Sequence, residues 1–305
     1  MINDQEYITT KLKKTLEKMI ILSAPRLNNL IAMIIGIICS QSVVLSKISQ
    51  ELKDNYSLGT EESKIKRLQR FLSNEAINPE KLYEFFTYKL LQKYKFKSKS
   101  IYIIFDHTTI DDRFVDETLK WKYCIRCTKD LSISIDGKNK IKKLDDILPK
   151  KGGSKHFYNI KLTSQEYICN MAICKALEAE DTWFIANNLS EPYAIREYKK
   201  RFDIEEMFKD FKSTGFNLED TWSNNIHYAK MLYFCVCIAY TYIISLGISC
   251  SKDKKNKILG SVKNINGNKV RIYSLFTTGM KWFKRCYYSC RNKYYLKTCF
   301  TLYSN

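Results

Sequence analysis

From Met231 to Cys250 the chain runs for twenty residues, MLYFCVCIAYTYIISLGISC, without one charged side chain. As a helix this segment is about 30 Å long, and a helix apolar all round must be covered on every side, by lipid or by protein. With 305 residues, 45% of them hydrophobic, the chain has material for a large core around such an element. A single membrane span would leave the net charge of +19 without a role. The expectation is therefore a central helix covered by the fold, and its competitor is a basic membrane-associated protein anchored by residues 231–250. Leu27 to Ser46 is also uncharged, but Asn28, Asn29, Ser40, Gln41 and Ser42 interrupt it, so it reads as a buried helix.

Fifty-one Lys and Arg against 32 Asp and Glu point to a polyanionic partner, with nucleic acid first. Codon bias in a low-GC genome also inflates Lys, so the charge supports DNA binding without proving it. Eleven cysteines stand in a chain whose first residues, Met1 to Lys18, are polar and charged with no apolar signal segment. Reduced thiols in the cytoplasm are expected. Cys124 and Cys127 form a CxxC with no second half downstream. In a strand their odd spacing sends the side chains to opposite faces, which argues against zinc. Cys235, Cys237, Cys286, Cys290 and Cys299 sit among apolar and aromatic residues and read as small hydrophobes.

Residues 1–97 read as all-helical: Gln5 to Met19, Leu27 to Leu45, Lys64 to Leu72, then Pro79 to about Tyr94 with Asn78 as cap. SKIKRLQRFLSN sets Lys64, Lys66, Arg67 and Arg70 against an apolar stripe of Ile65, Leu68 and Phe71, as a DNA-binding helix or an ordinary solvated one does. From Trp121 to Leu189 the pattern turns strand-rich: WKYCIRCT, LSISI, HFYNIKLT, EYICNMAICKA and DTWFIANNL. Asp136-Gly137 is a hairpin signal, and Lys151-Gly152-Gly153 a turn. Pro192 ends the last strand and Tyr193 opens a helix. The tail from Lys281 interleaves cations with aromatics, as both a nucleic-acid surface and a closing amphipathic helix do.

The helix opened by Tyr193 carries YKKRFDIEEMFKDFK. On a continuous helix Tyr198, Arg201, Glu205 and Lys212 fall within an arc of about 60°, beside an apolar stripe of Ile204, Phe208 and Phe211 with Met207. The plain reading is an amphipathic helix with an Arg201–Glu205 pair worth a few tenths of a kcal/mol. The spacing Tyr, two residues, Arg, three residues, Glu, six residues, Lys also resembles the signature of the DDE transposases of the insertion sequence four type, the cut-and-paste enzymes of bacterial mobile elements. The resemblance implies that Glu205 is a metal-binding catalytic carboxylate, that Tyr198 and Arg201 contact DNA near a transposon end, and that Lys212 contacts phosphate.

The same resemblance implies an α/β chain: an RNase H-like core over 98–305, a β-rich insertion at about 121–190, a signature helix at about 193–213, and a helical DNA-binding domain at 1–97. IYIIFDHTTID then delivers Asp106 at a strand end as the first catalytic and metal-binding acid, with Glu205 as its partner on magnesium or manganese. The expected partner is double-stranded DNA at transposon terminal repeats, with room for a homo-oligomer on that DNA, in the bacterial cytoplasm near the nucleoid.

A second Asp is missing from its place. TTIDDRFV resembles the start of the second strand of that fold, and DETLKWKYCIRCTKD resembles the stretch that the family carries after its second Asp, so an internal deletion is inferred between Val115 and Asp116. Asp111 and Asp112 lie too close to Asp106 to come from a neighbouring strand. Two carboxylates hold two divalent cations weakly, so cleavage is expected to be impaired. A non-catalytic DNA-binding remnant is the alternative.

Overall fold

The computed structural model describes residues 4–52, 59–95, 122–135, 141–162, 167–177, 181–190, 192–212, 215–221, 223–252, 262–265 and 268–289. Among these the elements are, in order, α1 (Asp4–Leu16), α2 (Ala24–Ser40), α3 (Leu45–Glu51), α4 (Glu61–Leu72), α5 (Pro79–Lys95), β1 (Cys124–Cys127), β2 (Ser132–Ser134), β3 (Ile141–Lys143), β4 (Ser154–Leu162), β5 (Tyr167–Cys174), β6 (Trp183–Asn187), α6 (Ala194–Lys199), α7 (Phe202–Phe211), α8 (Ile226–Lys252), β7 (Val262–Ile265), β8 (Asn268–Arg271) and α9 (Leu275–Ser289). The chain is thus a mixed α and β protein. It forms two units, one from residues 1–101 with 207–305 and one from residues 102–206.

The first unit is built around α8, which has the length and apolarity of a membrane span. Its covering comes from its own unit: α2, α4, α5 and α9 pack along it, and 72% of its most apolar window is buried. Met231, Phe234, Cys235, Val236, Ile238, Ala239, Tyr242 and Ile243 are fully enclosed. Aromatic edges fill the gaps: Tyr83 and Phe86 of α5 meet Phe234, and Phe211 meets Tyr240 at 5.2 Å between ring centroids. α9 is amphipathic, burying Phe276, Met280, Phe283, Cys286 and Tyr287 and exposing Lys281 and Tyr288. As far as Ser289, then, the cation-aromatic tail is a packing helix; Cys290, Cys299 and their neighbours lie outside the described residues.

Caps and breaks follow local chemistry. Asn78 accepts the Lys81 N–H at 2.8 Å through Oδ1, and Pro79 opens α5 where no N–H is needed, as the sequence indicates. The helix expected over Leu27 to Leu45 is instead two, α2 and α3, bent by 94°. Gln41 adopts the left-handed conformation at φ 52°, and the hydroxyls of Ser40 and Ser42 take over the freed groups: Ser40 donates to the Gly36 carbonyl at 2.7 Å, and Ser42 accepts the Val44 N–H at 3.2 Å. Apolar periodicity runs through this corner unbroken because both arms face the same core.

The second unit holds a six-stranded sheet in the order β1-β6-β5-β4-β2-β3, every described pair antiparallel. The five strands expected from Trp121 to Leu189 are present. β3 lies outside that expectation, because three residues reading Ile-Lys-Lys carry no alternation to detect. β7 and β8, also unexpected, pair across Asn266-Gly267, a strong two-residue hairpin signal. The sheet packs on both faces. Ile133, Leu144, Ile160, Met171, Ile173 and Phe184 form one cluster, and Ala172, Ile185, Ala194 and Tyr198 the other. Cys127 joins the first and Cys124 the second, on opposite faces of β1 as their spacing requires.

Where α8 crosses α9, two glycines let the backbones touch. A methyl group on Gly247 would collide with the Leu275 carbonyl oxygen, and one on Gly279 with that of Ile243. Gly247→Ala and Gly279→Ala are therefore each expected to destabilise the fold by about 1–3 kcal/mol, because the helices must separate. Urea unfolding followed by circular dichroism measures the loss; an unchanged midpoint for both variants would contradict the close crossing.

Candidate functional site

Pro192 ends the extended segment after β6, and the chain turns into α6. The single helix expected over 193–213 does not form. α6 ends at Lys199, α7 begins at Phe202, and the link is a tightened turn in which Lys200, Arg201, Asp203 and Ile204 each donate to the carbonyl three residues back. This break redistributes the signature residues, so they do not form one row.

Tyr198 faces inward. It is 7% exposed and lies edge-on to Trp183, 5.5 Å between centroids, while Phe202 stacks on the same indole at 5.4 Å. Trp183 is thus a platform holding both sides of the helical break, a role that sequence reading missed; the signal available was a tryptophan at the start of a continuous apolar strand. Arg201 is half-buried and binds Glu205, with Nη2 donating to Oε1 at 2.6 Å. The guanidinium also lies 5.8 Å from the ring centres of Tyr198 and Phe202. Among the described residues its Nε is buried without a hydrogen-bond partner.

The apolar stripe is also corrected. Phe211 is buried and Met207 packs on the core, but Phe208 is 40% exposed, so the inward face of α7 runs through Met207 and Phe211. Glu197 of α6 is the more enclosed of the two ion-paired glutamates, 15% exposed against 51% for Glu205, and accepts from Lys200 at 2.6 Å and Arg196 at 2.9 Å. Burial, reinforced by the nearby Glu197 charge, pushes the Cys124 thiol up to about 12, so it is held as a neutral hydrophobe.

In the first unit Lys212 pairs with Glu219 at 3.0 Å. The cations of α4 divide by direction. Lys64 donates to the Leu52 carbonyl at 2.7 Å and Arg67 Nε to Asn29 Oδ1 at 2.6 Å, so both brace neighbouring helices, whereas Lys66 and Arg70 are exposed. Lys66 and Arg70, one helical turn apart, are the cations this helix presents to solvent.

Asp106, with His107, Thr108, Asp111, Asp112 and the Val115–Asp116 joint, lies outside the described residues. Among the described residues no three His, Cys, Asp or Glu side chains form a group able to hold a metal ion. Glu205, bound to a guanidinium, does not by itself make a magnesium site, which needs several oxygen ligands. No protein-family model matches the chain, and no curated protein sequence matches it.

The energetic weights are separable. Trp183→Ala is expected to cost about 2 kcal/mol, since it strips the partly buried platform from Tyr198 and Phe202. A double-mutant cycle of Arg201→Ala with Glu205→Ala is expected to give only about 0.5 kcal/mol of coupling, as for a partly exposed i, i+4 pair. Denaturant midpoints for the set test both, and a coupling above the Trp183→Ala loss would reverse the ranking.

Proposed function

We propose that the chain is a DNA transposase by descent, of the DDE type, binding double-stranded DNA and impaired in metal-dependent strand cleavage. The observation that carries this reading is the direct contact of Arg201 with Glu205 at the head of α7, in the helical pair that follows the β-rich segment, with Lys212 one residue past the helix end. Order, residue types and chain position are those the resemblance calls for. The reading places an RNase H-like core around Asp106 and Glu205, with magnesium or manganese shared between them.

The chemistry expected of these residues is mainly that of holding DNA. Arg201 and Lys212 offer cations to phosphate oxygens, and Lys66 and Arg70 extend the basic surface of the helical region. The net charge of +19 gives the association a steep salt dependence. The Arg201–Glu205 bond is equally compatible with the second reading, a non-catalytic DNA-binding remnant. A partly exposed pair of this strength yields to a stronger ion, so Arg201 remains available to a phosphate.

The test uses the purified chain and a duplex carrying the DNA that flanks its gene, with magnesium or manganese present. Binding that weakens by orders of magnitude between 50 and 200 mM salt is expected, roughly the loss that accompanies several phosphate contacts, together with no nicked product. Nicking that disappears in Glu205→Gln would overturn the impairment and restore full catalysis. Failure to bind any duplex at low salt would remove the DNA reading altogether.

A further inference from the structure

We infer that Lys47 and Lys212 together form a phosphate-binding pair that the chain closes upon itself, using the acidic turn Leu218–Asp220 as an internal stand-in for DNA phosphates. The inference rests on the DNA-binding reading above and adds to it a residue, Lys47, and a mode of regulation.

Lys212 Nζ lies 3.0 Å from Glu219 Oε1, and Lys47 Nζ, from α3, lies 3.8 Å from Asp220 Oδ2. The acids are consecutive in the chain while the lysines are more than 160 positions apart. Two cations from remote elements therefore each meet one acid of the same short turn. A carboxylate and a phosphodiester offer a lysine ammonium the same thing: one negative charge over two acceptor oxygens.

The turn is anchored. Asn217 adopts the left-handed conformation at φ 49°, its N–H donates to the Lys212 carbonyl at 2.7 Å, and its Nδ2 donates to the Gln41 carbonyl at 3.1 Å. Gln41 is the left-handed residue at the α2–α3 corner, and its Oε1 accepts from Lys284 of α9 at 2.5 Å. Backbone and amide bonds thus hold the acids opposite the lysines. The side chains of all four ionic groups nonetheless remain about half exposed, between 49% and 64%. Such pairs are weak and exchangeable, as required if a polyanion is to displace them.

The experiment measures binding of a fluorescent 40-base-pair duplex of arbitrary sequence at 100 mM salt by the full chain and by Glu219→Gln, Asp220→Asn, Lys47→Gln and Lys212→Gln variants, with Glu75→Gln as a charge-matched control from an exposed position. Glu219→Gln and Asp220→Asn are expected to tighten binding by about 1.5-fold to fivefold each, beyond the effect of Glu75→Gln. Lys212→Gln is expected to weaken binding more in the Glu219→Gln background than in the native chain, and Lys47→Gln likewise with Asp220→Asn. A gain no larger than that of Glu75→Gln, or equal lysine losses in both backgrounds, overturns the closed pair and leaves DNA binding intact. Absence of duplex binding by the native chain overturns both readings at once.

Discussion

The structure depends on covering one helix. α8 carries no charged residue between Met231 and Cys250, so water is excluded as a neighbour along most of its length, and α2, α4, α5 and α9 are arranged to enclose it. This explains features otherwise unrelated. The chain bends sharply at Gln41 so that α2 and α3 lie on the same core; α5 contributes an aromatic edge; α9 packs backbone against backbone at Gly247 and Gly279. Each is a way to close a surface that cannot face water.

A second pattern occurs in each unit separately: cations meet carboxylates of the chain itself. Arg201 meets Glu205, Lys212 meets Glu219 and Lys47 meets Asp220. The contacts, from 2.6 to 3.8 Å, are at least partly exposed to solvent, so their contribution to stability is small, and their consequence is chemical: they settle what each cation touches until a stronger anion arrives. Tyr198 stands apart from this set. Its burial beneath Trp183 makes it part of the frame that holds Arg201 at the helical break.

Much of the fold was legible in sequence. The Asn78–Pro79 start, the five strands between Trp121 and Leu189 and the covered helix at Met231 to Cys250 each carry a local signal: a cap, an alternation, an uninterrupted apolar run. The corner at Gln41 was not legible, because the apolar pattern continues across it and the hydroxyls that stabilise it are ordinary serines. β3 was too short to register, and β7 with β8 was overlooked despite an Asn-Gly pair between them. In the site, the i, i+4 relation of Arg201 to Glu205 could be read directly, but the break at Lys200–Arg201 could not, since every residue there tolerates a helix.

Sequence by itself determined which segments must be enclosed, where the strand-rich region begins and ends, and which residues bear the charges. Those properties are local: hydropathy, periodicity and formal charge belong to residues and short windows. Tertiary structure alone decided that Tyr198 points inward, that Lys64 and Arg67 brace helices while Lys66 and Arg70 meet solvent, and that Lys47 and Lys212 converge on one acidic turn. The physical reason is that a side chain's partner is set by which distant segment the core brings beside it, and a helix phase can be reset by a few tightened hydrogen bonds that leave no mark in composition.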